Sequence, residues 1–126
     1  MPKKHVTTDK APQPIGPYSQ GVIAGGFLFV SGQIPIDPAT NELVGGDIQT
    51  QTRRVLDNLV GILKDAHLGP EDVVKTTVFL TDLNEFAGMN EVYARYFGKE
   101  PPARSTIQAA ALPRGVKIEM DLIAVF

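Results

Sequence analysis

The chain has 126 residues, 43% hydrophobic and 21% charged, which predicts one soluble globular domain over 1–126 that buries about two-thirds of its unfolded-chain surface. Its formal net charge of −2, with Lys and Arg adjacent only at Lys3-Lys4 and Arg53-Arg54, argues against a nucleic-acid partner, because phosphate binding needs a dense basic face. The absence of cysteine excludes disulfides, thiolate zinc sites and thiol catalysis. No apolar run approaches the roughly eighteen residues of a membrane span, and "MPKKHVTTDK" has no apolar stretch behind its basic residues, so a cytoplasmic protein is expected.

In chain order, "KHVTT" predicts a short edge strand, and "APQPIGP" is too rich in proline for regular structure. "YSQGVIA" and "FLFVSG", joined by Gly25-Gly26, predict a β-hairpin, since both central turn residues can take positive φ without a steric penalty. Residues 33–46, "QIPIDPATNELVGG", read as a turn-rich surface excursion. Asp47 is a helix cap, and Ile48, Val55, Leu56, Leu59, Ile62, Leu63 and Ala66 form a helical stripe that Gly69-Pro70 should stop. Gly61 costs that helix about 1 kcal/mol relative to Ala, which predicts close packing on a sheet.

"DVVKTTVFLT" (72–81), rich in β-branched residues, predicts a strand. Asp82 and Glu85 have capping-box spacing, and Phe86, Met89, Tyr93 and Phe97 give a second helix its stripe before Gly98. Strands over 104–109 and "KIEMDLIAVF" complete the chain. The order β-β-β-α-β-α-β-β predicts an α+β fold, one mixed sheet with two helices on one face. The other face is neither wet nor dry. In the last strand Ile118, Met120, Leu122, Ala124 and Phe126 oppose Lys117, Glu119, Asp121, Ile123 and Val125, a set half charged and half apolar. Such a face predicts a homo-oligomer with polar pockets between subunits.

Much chemistry is missing. His5 lies near a terminus and His67 at a helix end, where a capping role fits, and with no cysteine nearby no transition-metal site is expected. Gly16 and Gly21 in "GPYSQG" have the outer spacing of a phosphate loop but precede a strand, without the Lys-Ser that such loops carry. Ser31 has no histidine base close in sequence, and no dinucleotide fingerprint occurs, so no cofactor is expected. The remaining candidates are Tyr18, Ser31, Asn90, Arg104, Thr106 and Glu119. A hairpin turning around Leu112-Pro113 would set Glu119 across from Ile107 rather than Arg104, which leaves Arg104 without an obvious carboxylate in its own chain.

The segments "IGPYSQG", "VSGQIP", "VVKTTVFLTDLNEFAGMN", "PPARSTIQAAALP" and "VKIEMDLIAV" occur in the order and spacing of the RidA (YjgF-type) family of imine and enamine deaminases. The chain resembles that family from about Thr8 to its last residue. The resemblance implies a chorismate-mutase-like α+β fold and a homotrimer with sites at the subunit interfaces. It also implies cofactor-free hydrolysis of 2-aminoacrylate and related 2-imino acids to a 2-oxo acid and ammonia. Arg104 matches the family's most characteristic functional residue, and Glu119 its "K-I-E" carboxylate.

The chemistry suits these residues. A guanidinium can grip a substrate carboxylate with two parallel hydrogen bonds and so orient the C=N bond. Glu119 is the candidate to deprotonate water, a role worth about 10²–10⁴-fold, and its plain alternative is a solvated glutamate paired with Lys117. Tyr18, Ser31 and Asn90 match positions near the family's site, and Thr106 stands where several relatives have cysteine. Two other functions fit the same residues less well: a carboxylate-binding or chaperone-like trimer without turnover, and a ribonuclease or translation inhibitor. Chorismate mutase, by analogy of fold, ranks below both, since its substrate carries two carboxylates and only one arginine is well placed.

Overall fold

Gly25 and Gly26 hold φ of 59° and 82°, and the two-residue turn they make pairs Ala24 with Phe27. That turn joins strands β2 (Gly21–Ala24) and β3 (Phe27–Gln33), with β1 (Lys4–Val6) added at the free edge of β2. The computed structural model describes residues 2–126. Its main sheet runs β1, β2, β3, β8 (Ile118–Val125), β6 (Val73–Leu80), β7 (Ala103–Gln108). Only β6 and β7 pair in parallel, so the sheet is mixed, and helix α2 (Phe86–Phe97) makes the crossover between them.

The other helix, α1 (Ile48–Asp65), opens on Asp47, whose carboxylate accepts the Thr50 N–H at 2.9 Å. Its stripe of Val55, Leu56, Leu59, Ile62 and Leu63 has no exposure at all. It forms one core with Leu28, Met120 and Ala124 of the sheet and with Met89 and Val92 of α2. Each such side chain contributes about 1.5–3 kcal/mol by leaving water. Both helices lie on one face of the sheet.

Local details depart from the expectations in instructive ways. Helix α1 stops before Gly69: His67 takes the left-handed position (φ 61°), and the Leu68 N–H reaches the Leu63 carbonyl at 2.9 Å. Gly61 is not needed for the sheet. A Cβ there would meet the Lys10 carbonyl oxygen at 2.7 Å, so the close approach is to the N-terminal segment. Asp82 caps a single 3₁₀ turn, Leu83–Glu85, ahead of α2, and Glu85 reaches Lys117 rather than closing a capping box. The excursion at 33–46 contains a small ribbon, β4 (Ile36–Asp37) with β5 (Glu42–Leu43), pinned by the Asn58 amide donating to the Ile36 carbonyl at 2.9 Å.

The largest correction concerns the last two strands of the sequence. β7 and β8 do not form a hairpin; β6 lies between them. Glu119 nevertheless stands level with Ile107, because both pair with Phe79. The level was legible and the neighbour was not.

Candidate active site

Pro101 and Pro102 lead the chain into β7 at the sheet's edge, where Arg104 pairs with Thr76. Thr76 pairs in turn with buried Leu122, so Arg104 points to the helix-covered side. There its guanidinium carbon lies 4.6 Å from the centre of the Tyr93 ring and 5.3 Å from that of Phe86. Both rings come from α2, seven residues apart on one helical face. The Tyr93 hydroxyl is fixed by a 2.7 Å hydrogen bond to Thr76 Oγ1. Burial pushes that phenol's pKa up, partly offset by the bond to Thr76 and by the Arg104 charge, so the ring stays neutral and its face remains available to the cation. A cavity of about 370 Å³ opens over Arg104, walled by Asn90, Ala94, Phe97 and the two prolines. Thr106 lies on the same side of β7, its hydroxyl buried and without a hydrogen-bond partner, outside that cavity's wall.

Glu119 faces the opposite way. Its pairing with Phe79 puts it on the side of the sheet that no helix covers. A second cavity, of about 390 Å³, is lined by Glu119, Tyr18, Ser31, Gly32, Ile15 and Pro113. Gln20 builds this half from the N-terminal segment. Its buried amide accepts the Thr8 N–H at 2.7 Å and donates to the Pro12 carbonyl at 2.8 Å, fixing the loop that presents Tyr18. The Ser31 hydroxyl donates to the Ser19 carbonyl, which leaves its oxygen free to accept. Between Val30 and Gln33 the register of β3 shifts against β8, and Gly32 sits in that irregularity. A Cβ at Gly32 would collide with the Glu119 carboxylate, whose carbon would lie 3.0 Å away. Only glycine lets the carboxylate rest there.

The electrostatics of the two halves complement each other. Burial raises the pKa of Glu119, and the charge of Asp121 raises it further. Lys117 does not relieve it, because its ammonium pairs with Glu85 at 3.6 Å, the one ion pair among the described residues. Arg104 likewise has no carboxylate partner among them. One chain thus holds an unpaired cation and an unpaired, desolvated carboxylate on opposite sides of its sheet. Asn90 joins Arg104, Tyr18 and Ser31 join Glu119, and the two groups do not meet within the chain.

Sequence reasoning passed over Gly32, Phe86 and Tyr93 as parts of these sites. The aromatics were visible as a helical stripe, and their service to Arg104 follows only from the β6–α2–β7 crossover. Gly32 stood in "VSGQIP" with no feature to mark the carboxylate above it. Among the described residues no three His, Asp or Glu side chains converge as a metal-binding set, and no helix is long and apolar enough to cross a membrane.

This arrangement can be compared with known proteins. The family model described as endoribonuclease L-PSP matches residues 8–126, from the same Thr8 at which the sequence resemblance begins. The chain belongs to that family. Within it, a RutC family protein of Pyrococcus abyssi is 56% identical over 98% of this chain and 98% of its own. A crystal structure from Thermotoga maritima, provisionally named an endoribonuclease, is 56% identical, covers 98% of this chain and 97% of its own, and superposes with a TM-score of 0.95. The Escherichia coli family member TdcF, provisionally named a reactive intermediate deaminase, has a crystal structure with bound serine. That structure is 47% identical over 98% of each chain, with a TM-score of 0.92.

Proposed function

We propose that this protein is a cofactor-independent deaminase that hydrolyses reactive 2-imino and 2-enamino acids, such as 2-aminoacrylate, to a 2-oxo acid and ammonia. The observation that carries this reading is the Arg104 guanidinium, packed over the rings of Tyr93 and Phe86, without a carboxylate partner, in the wall of an open cavity. Such a group is preorganised to receive a substrate carboxylate. Relatives named as RutC family proteins and as a reactive intermediate deaminase support the same chemistry. The serine bound to TdcF carries the carboxylate and three-carbon frame of 2-aminoacrylate.

The working unit is a homotrimer in which Arg104 and Asn90 of one subunit meet Glu119, Ser31 and Tyr18 of its neighbour. Two charged groups that face away from each other in one chain can share a substrate only across such an interface, and the partly apolar outer face of the sheet supports it. Arg104 grips the carboxylate and holds the C=N carbon towards Glu119. The Glu119 carboxylate takes a proton from water as the oxygen adds to that carbon. It passes that proton to the imine nitrogen, giving a carbinolamine, then moves the hydroxyl proton to the same nitrogen, so that the C–N bond breaks and ammonia leaves as the carbonyl forms. A raised carboxylate pKa suits a group that must both accept and return a proton. A ribonuclease reading would require a basic surface, and a formal net charge of −2 does not favour it.

The test generates 2-aminoacrylate with a serine dehydratase in the presence of semicarbazide. The protein should divert flux from the trapped adduct to free pyruvate, and Arg104→Ala should lower that diversion about a hundredfold. If the folded wild-type protein causes no diversion but still binds 2-oxobutyrate, the reading falls to a non-catalytic carboxylate binder.

A further inference from the structure

Beside the Glu119 cavity lies a smaller chamber of about 60 Å³. The two share Ile15, Tyr18, Gly32 and Ile34 in their walls, so the chamber adjoins the proposed site of hydrolysis. Arg114 is the one charged residue among the chamber's lining residues, and no acidic side chain lines it. Like Arg104, it has no carboxylate partner among the described residues.

The backbone around the chamber is unusual. Three non-glycine residues in the described chain hold positive φ, namely Asn41, His67 and Arg114. The helix end accounts for His67. The other two, at 62° and 57°, both line this chamber. A left-handed conformation at an arginine costs about 1–2 kcal/mol. It is held here by the turn Pro113–Gly115, in which the Gly115 N–H reaches the Leu112 carbonyl at 3.1 Å. Pro113 in that turn also lines the Glu119 cavity, so the turn places one residue in each wall.

We infer that the chamber is a side-chain subsite, and that Arg114 is a specificity-determining residue admitting 2-imino acids whose side chain ends in a carboxylate. The space holds a carboxylate or a few waters, and Arg114, the one charged residue of its lining, is the group a carboxylate would pair with. A substrate with its C2 carbon beside Glu119 would reach the chamber past the shared wall of Tyr18 and Gly32. This assignment rests on the deaminase reading for its substrate class, and its binding test does not.

The experiment compares wild type with Arg114→Gly, whose backbone suits a φ of 57°, and with Arg114→Lys, which keeps the charge. Amino-acid oxidases acting on aspartate and alanine supply 2-iminosuccinate and 2-iminopropanoate, with semicarbazide as the competing trap. Calorimetry measures binding of 2-oxoglutarate and 2-oxobutyrate in parallel. Arg114→Gly should lower kcat/KM for 2-iminosuccinate at least tenfold more than for 2-iminopropanoate. It should weaken 2-oxoglutarate by a similar excess over 2-oxobutyrate, and Arg114→Lys should recover part of both differences. Equal effects on the two ligands, or none, overturn the subsite whatever the turnover assay gives. If the binding difference holds while neither imine is hydrolysed by wild type, the deaminase reading fails and the subsite stands.

Discussion

Under the helices, the sheet presents Leu28, Val78, Met120 and Ala124, none with any exposure, whereas its other face presents Phe27 and Phe29 at 40% and 44% exposure, interleaved with Glu119 and Asp121. The covered face is a finished core. The open face pairs Phe29 with Ile123 and Phe27 with Val125, an apolar patch that abuts carboxylates whose pKa values burial has raised. Side chains are therefore partly dehydrated there without being packed. The difference teaches that one face makes the fold, and that the other is the face the proposed trimer would cover. The proposed site draws its cation from the edge of the first face and its carboxylate from the second.

The strongest way to break this comparison is to place the same charge on each face. Leu122→Asp, on the covered face, should leave no cooperatively folding protein, because an unpaired buried carboxylate costs several kcal/mol or more. Phe29→Asp should keep the circular dichroism of the native chain, sediment as a monomer and lose the deaminase activity. A folded, fully active Phe29→Asp monomer would remove the interface from the mechanism. Next, Arg104→Ala and Glu119→Gln should each lower activity about a hundredfold alone. Co-refolded in equal amounts, they should recover about a quarter of wild-type activity, since that share of randomly assembled interfaces combines an intact arginine with an intact glutamate. No recovery would place both groups in one chain's site.

A smaller effect tests the seat of the carboxylate. Gly32→Ala should displace Glu119 and lower kcat about tenfold, with little change in Tm, because the clash falls on the end of a flexible side chain. The smallest effect is a pH dependence. A raised carboxylate pKa contributes stability that is fully present below the ordinary glutamate value and lost as pH rises through the raised one. Glu119→Gln should therefore raise Tm above that window and leave it unchanged below, and a pH series of melting curves reads the difference.

The fold was largely legible in the residues. Alternation in "KIEMDLIAVF", the stripe from Val55 to Leu63 and the Gly25-Gly26 turn each follow from local sterics and burial, and the structure has all three. What sequence could not reveal was non-local. Inserting β6 between β7 and β8 depends on how α2 crosses over, and no residue near Leu112 encodes it. The charged candidates were legible by type: Arg104 as a guanidinium in an otherwise uncharged run, Glu119 as a carboxylate among apolar neighbours. Their companions Tyr93 and Gly32 were not, because a ring under a cation and a gap under a carboxylate are properties of tertiary approach.

The parallel β6–α2–β7 unit carries one more consequence, in time rather than space. Arg104 and both rings of its cradle lie within the contiguous stretch 73–108, whereas the Glu119 pocket joins the segment around Tyr18 to β8 from opposite ends of the chain. Closing short loops precedes closing long ones when chain entropy governs the order. During refolding the arginine cradle should form before the glutamate pocket. Pulsed hydrogen exchange would then protect the amides of β6 and α2 ahead of those of β3, and the nascent chain would own its clamp before its base.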